Sequence, residues 1–318
     1  MIEARPNTVV VLGPTASGKT ALGVRLAQAL QGEVLSADSR QVYRGLDIGS
    51  GKDLGEYVVD GEAIPCHLID IVDLSCEFSV FEYQERFFEA FAAVRGRGKL
   101  PVVVGGTGLY IDAVVSGYTL RKAPEDPVLR RELEALPDDA LVARLLALRP
   151  KQHNTTDLRG RARMIRAIEI ATHEKNTSDE SNQSGRSDQS GSESRVQRVR
   201  PLLLGTAWPR EELRRRIGER LRARMAQGLV EEVAALHAAG HSWARLELLG
   251  LEYRFVAQYL QGQIRHENDL YQKLASAITQ FAKRQETWFR RMERHGHVIH
   301  WIPRADFQAA LQVVHERS

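Results

Sequence analysis

The fold is decided by VVVLGPTASGKT, residues 9–20. Its opening β-branched run is typical of a buried strand, and the rest fits the phosphate-binding pattern G-x-x-x-x-G-K-[ST]. Apolar residues then recur at helical spacing from Ala21 to Leu30. A strand, a glycine-rich turn and a helix in this order predict a phosphate-binding loop, called the P-loop below (residues 13–20).

The P-loop predicts where phosphate is held. Its backbone N–H groups curl around phosphate oxygens, and the start of the following helix adds positive potential. The ammonium of Lys19 would neutralise phosphate charge, and the hydroxyl of Thr20 would bind Mg²⁺. The predicted phosphate-binding residues are Gly13, Pro14, Thr15, Ala16, Ser17, Gly18, Lys19 and Thr20. Taken alone, such a loop indicates a kinase or an NTPase.

The rest of the first third alternates short apolar runs with amphipathic segments. We predict strands at 33–37, 67–72 and 101–105, and a helix at 80–95. This alternation predicts an α/β fold, a P-loop NTPase-like parallel sheet with helices on both faces.

The middle of the chain loses its strands. Residues 126–148 and 161–172 carry apolar side chains at helical spacing, so we predict a small helical insertion over 119–175. Residues 176–197 are almost wholly polar and predict a disordered surface loop.

The chain then returns to the sheet. We expect a strand at 201–208, helices at 211–237 and 270–294, and a last strand at 297–302. Residues 1–118 and 198–318 would therefore form the core.

Charge and cysteine content narrow the class of protein. The net charge of +3 permits a nucleic-acid partner, but the arginine clusters at 159–166, 210–224 and 283–294 are, on charge alone, better explained as solvated helix faces. Cys66 and Cys76 have no metal-ligand spacing, which indicates a reducing compartment. No apolar run resembles a signal peptide or approaches the roughly 20 residues that span a bilayer. A cytoplasmic enzyme is expected.

Two polar motifs follow predicted strands. SADSRQVY begins at Ser36 and GGTGLY begins at Gly105. The carboxyl ends of parallel strands line one crevice, so Asp38 should lie near Lys19. A carboxylate there can accept a proton, but a helix cap or a water-mediated Mg²⁺ ligand explains Asp38 equally well.

Six motifs occur in the order seen in bacterial tRNA dimethylallyltransferases. They are GPTASGKT, DSRQVYRGLDIGSGK, HLID ending at Asp70, GGTGLY, RMIRAIE from Arg163, and AKRQETWFR from Ala282. The chain resembles this family from the P-loop to Arg290, with the polar loop outside the match.

The resemblance implies a reaction. The P-loop and Mg²⁺ would hold the diphosphate of dimethylallyl diphosphate, together with Arg216. The N6 amine of the adenosine on the 3′ side of the anticodon, in tRNAs that read codons beginning with U, would attack the allylic carbon. Asp38 would accept the proton, and Lys19 and Thr20 would stabilise the departing diphosphate.

The resemblance also implies the partner, the tRNA anticodon stem-loop, from which the target base is extruded. Family positions that contact tRNA match Asp38, Ser39, Arg40, Gln41, Thr107, Ala162, Arg163, Met164, Ile165 and Arg166. We expect a monomer without membrane association.

Two segments depart from the family pattern. HNTTD at 153–157 replaces the usual HPND, and GLEYR at 250–254 stands where a GYR-like run is common, which leaves the tRNA contacts open. Two other functions also remain open. A small-molecule kinase or NTPase would turn over ATP, and a non-catalytic P-loop RNA-binding protein would tolerate loss of Asp38.

Overall fold

A computed structural model of the protein describes residues 5–118, 120, 123, 125–149, 160–183 and 198–317. The chain divides into two compact units. The larger unit comprises Met1–Tyr118 and Arg195–Ser318, and the smaller unit comprises Thr119–Ser194.

The larger unit contains a sheet of six parallel strands in the order β5-β2-β6-β1-β7-β8, and a separate two-stranded hairpin, β3-β4. The strands are β1 Thr8–Leu12, β2 Glu33–Ser36, β3 Val58–Val59, β4 Glu62–Ala63, β5 Cys66–His67, β6 Pro101–Gly105, β7 Pro201–Ala207 and β8 Ile299–Pro303. The predicted α/β class with a parallel sheet is confirmed.

Helices cover both faces of the sheet and form the smaller unit. In chain order they are α1 Lys19–Ala29, α2 Val80–Gly96, α3 Gly108–Val115, α4 Pro127–Glu134, α5 Asp138–Leu148, α6 Arg161–Gln183, α7 Arg210–Ala226, α8 Leu229–Ala238, α9 Trp243–Leu248, α10 Leu251–Leu260, α11 Glu267–Arg294 and α12 Phe307–Arg317. A short 3₁₀ helix spans Leu54–Tyr57.

The alternation of side chains along β1 explains the two layers. Val10 packs with Phe87 and Phe91 of α2 on one face, whereas Val9 and Val11 belong to the core on the opposite face. All residues of β1, β2 and β6 are buried. Fully apolar strands suit a parallel sheet that is covered on both sides.

Helix α2 begins at a capping box. The Ser79 hydroxyl accepts a hydrogen bond from the Glu82 backbone N–H, and the Glu82 carboxylate accepts one from the Ser79 N–H at 2.7 Å. This reciprocal pair satisfies two backbone donors that the first helical turn leaves free, so the helix starts at a defined residue.

Two side-chain amides hold the points where the chain leaves and re-enters the larger unit. The buried Gln84 donates to the carbonyl oxygens of Ala113 and Tyr118 at 2.9 and 2.8 Å. Asn7 donates to the Arg198 carbonyl oxygen at 2.9 Å and accepts from the Arg200 N–H at 2.8 Å.

Three predicted elements were too long. The predicted strand at 67–72 ends after His67, because Leu68 and Asp70 adopt positive φ angles of 67° and 55°. The predicted helix at 126–148 breaks where Pro137 caps α5, and the one at 211–237 breaks at Gly228, whose φ is 102°. Each interruption is a backbone state that strand or helix cannot continue.

The polar segment also differs from the prediction. Helix α6 continues through residues 176–183, where the sequence predicts a loop. A helix can extend beyond its packed face because its backbone hydrogen bonds are internal. Residues 184–197 lie outside the described part of the chain.

The smaller unit has its own core. Leu129, Leu133, Leu141 and Leu145 of α4 and α5 pack with apolar residues of α6. None of the helices in the described ranges is long and apolar enough to cross a membrane.

We expect Leu145→Ala to destabilise the smaller unit by about 2–4 kcal/mol, because Leu145 is fully buried and its truncation leaves a cavity. Amide hydrogen exchange across α4 and α5 should accelerate. The neighbouring Leu146, 42% exposed on the same helix, is the matched control, and Leu146→Ala should leave exchange unchanged. Equal effects of the two substitutions would contradict this core assignment.

Candidate active site

The carboxyl ends of β1, β2 and β6 carry three loops that meet. The Ser39 N–H, after β2, donates to the Thr107 hydroxyl, after β6, at 3.0 Å. The Thr107 N–H donates to the Ala37 carbonyl oxygen at 3.2 Å. The sequence motifs therefore converge on one edge of the sheet, as parallel topology requires.

The P-loop is anchored from inside the protein by Ser17. The fully buried Ser17 hydroxyl lies 2.7 Å from the Thr206 hydroxyl, and the Trp208 indole N–H donates to the Ser17 carbonyl oxygen at 2.8 Å. The φ angles of Ala16 and Gly18 are 62° and 80°. These left-handed residues curl the loop before α1 begins at Lys19.

Two arginines of α7 contact the P-loop. Arg216 donates to the Ala16 carbonyl oxygen at 2.9 Å, and its guanidinium lies 4.2 Å from the ring centre of Trp208. Arg220, four residues later, donates to the Thr15 hydroxyl. The sequence singled out Arg216 but missed Arg220. The only available signal for Arg220 was its helical spacing from Arg216.

The environment of the P-loop disfavours the charged forms of Lys19 and Arg220. Removal of the Lys19 ammonium from water, and then the positive charge of Arg220, lower the pKa of Lys19 to about 8. Desolvation, and then the charge of Arg224, lower the pKa of Arg220 to about 10. Among the described residues, Lys19 and Arg220 donate hydrogen bonds only to the neutral oxygens of Pro14 and Thr15. Binding an anion would relieve this accumulation of positive charge.

Two carboxylates share the field of these cations. The charge of Asp38 opposes the lowering of the Lys19 pKa, so the two groups interact. One Asp38 oxygen accepts the Arg40 backbone N–H at 2.8 Å, and the second makes no hydrogen bond to a described residue. Desolvation, and then the charge of Asp53, raise the pKa of Glu56, against the effect of Arg220. The sequence did not single out Asp53 or Glu56.

Gln285 of α11 joins two walls of the site. Its amide oxygen accepts the Thr15 backbone N–H at 2.9 Å, and its amide nitrogen donates to the Gly106 carbonyl oxygen at 2.7 Å. A Cβ on Gly106 would lie 2.5 Å from that nitrogen, so glycine is required for the contact. Gln285 was part of a recognised motif, but no individual role was assigned to it.

A buried lysine holds the loop that carries Asp38 through hydrogen bonds to several of its residues. Lys52, 2% exposed, donates to the Tyr43 carbonyl oxygen and the Asp47 carboxylate at 2.8 Å, and also to Asp70. The Asp70 N–H donates in turn to the Gln41 carbonyl oxygen at 3.0 Å. The HLID motif therefore supplies a counter-charge that holds this loop.

Glu232 of α8 holds the same loop from the other side. Its carboxylate accepts the backbone N–H groups of Asp47, Ile48 and Gly49 at 2.6–3.1 Å, and the Tyr253 hydroxyl at 2.8 Å. Burial, and then the charge of Glu232, raise the pKa of Tyr253.

The residues predicted to contact tRNA fall into two groups. Ser39, Arg40 and Thr107 are half-buried at the sheet edge beside Asp38, but the buried Gln41 amide is occupied by Ser36 and Gly51. The second group belongs to helix α6 of the smaller unit.

Helix α6 of the smaller unit carries the other predicted contacts. Met164 and Ile165 are 3% and 5% exposed and belong to its core, so their side chains are not presented to a partner. Arg166 pairs with Glu169 at 3.1 Å. Ala162 and Arg163 are exposed.

The P-loop offers one side-chain oxygen, the Thr20 hydroxyl, to a divalent metal ion. Within the described ranges, no group of three or more His, Cys, Asp or Glu side chains could hold a metal. The half-buried Thr20 hydroxyl makes no hydrogen bond to another described residue. Magnesium accepts few protein oxygens together with phosphate and water, so one hydroxyl beside bound phosphates is sufficient.

Comparison with known proteins places this geometry in context. The family model described as IPP transferase matches residues 41–292, and the model described as isopentenyl transferase matches residues 6–64. The chain is 56% identical to tRNA dimethylallyltransferase 2 of Syntrophotalea carbinolica over 93% of this chain and 94% of the relative. It is 53% identical to tRNA dimethylallyltransferase 1 of Syntrophus aciditrophicus over 95% of both.

A solved structure agrees with this assignment. The tRNA isopentenylpyrophosphate transferase of Bacillus halodurans aligns with a TM-score of 0.66 and 31% identity, over 98% of this chain and 95% of that chain. Family model, relatives and fold coincide over nearly the whole chain, and the protein is therefore a member of the IPP transferase family, the tRNA dimethylallyltransferases.

Proposed function

We propose that this enzyme transfers the dimethylallyl group of dimethylallyl diphosphate to the N6 amine of the adenosine on the 3′ side of the anticodon, in tRNAs that read codons beginning with U. The observation that carries the proposal is the juxtaposition of Asp38 with P-loop cations that lack a carboxylate partner at hydrogen-bond distance. Such a site suits a reaction in which negative charge grows on a diphosphate while an amine loses a proton.

The bond changes follow from this arrangement. The N6–C bond forms as the C–O bond to diphosphate breaks, and the bonding electrons leave with the diphosphate. The P-loop N–H groups, Lys19 and Arg220 stabilise that charge. The Asp38 oxygen that has no hydrogen bond to a described residue accepts the proton from the amine. Arg216 supports the P-loop through Ala16.

Magnesium is part of this proposal. The Thr20 hydroxyl would hold the ion together with diphosphate oxygens and water, and the ion would supply further positive charge to the leaving group. The availability of that hydroxyl at the start of α1 supports this reading.

The tRNA side of the proposal assigns separate roles to the predicted residues. Ser39, Arg40 and Thr107 contact the extruded adenosine region beside Asp38, and Gln41 positions that loop through Ser36 and Gly51.

We infer that the smaller unit binds the tRNA backbone, with exposed Arg163 as the leading contact. One chain supplies Lys19, Asp38 and Gln285, which supports a monomeric enzyme. A tRNA substrate supports a location in the cytoplasm.

The direct test is transfer of labelled dimethylallyl groups from the diphosphate donor to tRNA in the presence of Mg²⁺. We expect label on tRNAs with adenosine on the 3′ side of the anticodon, and none when that base is replaced by guanosine. ATP in place of the donor should not be hydrolysed. ATP turnover without prenyl transfer would instead establish a kinase or NTPase.

Asp38→Asn tests the general base. The amide oxygen of Asn keeps the hydrogen bond from the Arg40 N–H but cannot accept the proton, so we expect kcat to fall by roughly 100-fold or more. The Kd for tRNA should change little. Unchanged kcat would remove Asp38 from the mechanism and favour a non-catalytic RNA-binding role.

The Lys19 ammonium makes donor binding dependent on pH. Its pKa of about 8 in the free protein means that above this pH a proton must be taken up when the diphosphate binds. We expect donor affinity, measured without tRNA, to fall as pH rises above about 8, approaching tenfold per pH unit. Lys19→Met should bind more weakly and lose this dependence. A wild-type affinity for the donor that stays unchanged from pH 7 to pH 9.5 would contradict the assignment.

A further inference from the structure

Helix α7 presents three arginines along one stripe. Arg216, Arg220 and Arg224 are four residues apart, so they share a helix face and each advances the stripe by ~6 Å. The first two contact the P-loop at Ala16 and Thr15. Arg224 lies one turn beyond, so its position extends the cationic surface past the loop.

Arg224 is buried without adequate partners. It is 5% exposed, and among the described residues its Nε atom has no hydrogen-bond partner. Its nearest carboxylates are those of Glu252 at 3.7 Å and Asp53 at 3.9 Å. Charge-assisted hydrogen bonds of arginine are about 2.7–2.9 Å long, so neither carboxylate satisfies the guanidinium.

The backbone fixes where this guanidinium sits. A Cβ on Gly51 would lie 1.7 Å from an Arg224 terminal nitrogen, so the side chain packs directly over the glycine backbone. Gly51 also has a φ of 67°, a state that favours glycine. The arginine is therefore held in place by the loop that Lys52 and Glu232 fasten.

The field of Arg224 reaches the P-loop. Its positive charge contributes to the lowered pKa of Lys19 and is the second-largest cause, after desolvation, of the lowered pKa of Arg220. Three cations with mutual repulsion and few close carboxylates form a site for an anion larger than one phosphate group.

We propose that Arg224 is a further substrate-binding residue, which contacts the phosphate group of the donor that lies farther from the P-loop amides. The site then selects a diphosphate over a monophosphate. This inference rests on the proposed function only in naming a diphosphate ester as the natural ligand.

A structural ion pair is the competing explanation. If Arg224 served only to neutralise Asp53 and Glu252, its removal would change stability and leave anion binding alone. The two explanations differ in their effect on pyrophosphate relative to orthophosphate.

The experiment measures calorimetric binding of inorganic pyrophosphate and orthophosphate, with Mg²⁺ at pH 7.5, to Arg224→Met and to Arg222→Met. Arg222 is the matched control, since it is exposed on another face of α7 with its guanidinium 4.8 Å from the Tyr271 ring centre. We expect Arg224→Met to weaken pyrophosphate about tenfold or more and orthophosphate less than about twofold. Arg222→Met should match wild type for both anions.

Two outcomes would overturn the inference. One is a pyrophosphate affinity within about twofold of wild type in a folded Arg224→Met protein. The other is equal weakening of both anions, which would indicate only a distant effect on Lys19. If Arg224→Met does not fold, Arg224→Lys decides. It keeps the charge near Asp53 and Glu252 but loses the planar donor pair, so pyrophosphate should still weaken several-fold, and full retention would refute the contact.

The result is independent of the transfer assay. A wild-type protein that binds pyrophosphate through Arg224 but does not prenylate tRNA would refute the proposed function and leave this residue assignment standing. If instead the wild-type protein prenylates tRNA and the Arg224→Met variant binds pyrophosphate as tightly as wild type, the residue assignment is refuted and the proposed function stands.

Discussion

The structure depends on a concentration of positive charge that the protein does not neutralise itself. Lys19, Arg220 and Arg224 converge near the P-loop, and among the described residues none has a carboxylate within ordinary hydrogen-bond distance. Desolvated cations near one another destabilise the folded chain, so the surrounding elements must hold them rigidly. Ser17 and Thr206 anchor the loop from within, and Gln285 ties it to Gly106.

The same rigidity extends to the carboxylate that faces these cations. Asp38 lies two residues after the end of β2, and its loop is tied to Thr107, to Asp70 through Gln41, and to α8 through Glu232. The buried ion Lys52 is costly to desolvate, but its carbonyl and carboxylate partners fix the loop register. If Asp38 and the P-loop cations act as proposed, this preorganisation lets the chemical step proceed with little reorganisation of the protein.

The parts of this architecture that the sequence predicted are those where local chemistry and topology coincide. The P-loop needs its strand, glycines and lysine in fixed order, so residues 9–20 indicated the strand, turn and helix that the structure shows. Adjacent strand ends then predicted that the motifs of Asp38 and Thr107 would lie at one edge of the sheet, where the Ser39 N–H donates to the Thr107 hydroxyl. The partners that were missed come from distant helices. Gln285 reaches Thr15 across 270 residues of chain, and nothing local distinguishes it on a 28-residue helix. Arg220 was hidden among neighbouring arginines, and Met164 and Ile165 were assigned to binding although their apolar side chains serve packing.

The amide ties of Gln84 and Asn7 bear on how such an enzyme can diverge. Gln84 holds the chain at Tyr118 through a hydrogen bond to its carbonyl oxygen. Asn7 bonds to Arg198 and Arg200 and so sets the register of the chain as it enters β7. Both ties join residues of the larger unit. The position of β7 between β1 and β8 is therefore fixed by contacts within that unit, and not by the intervening sequence. Insertions and deletions between these two ties can accumulate over evolutionary time while the sheet keeps its register, which makes this junction a natural point for variation in length and sequence.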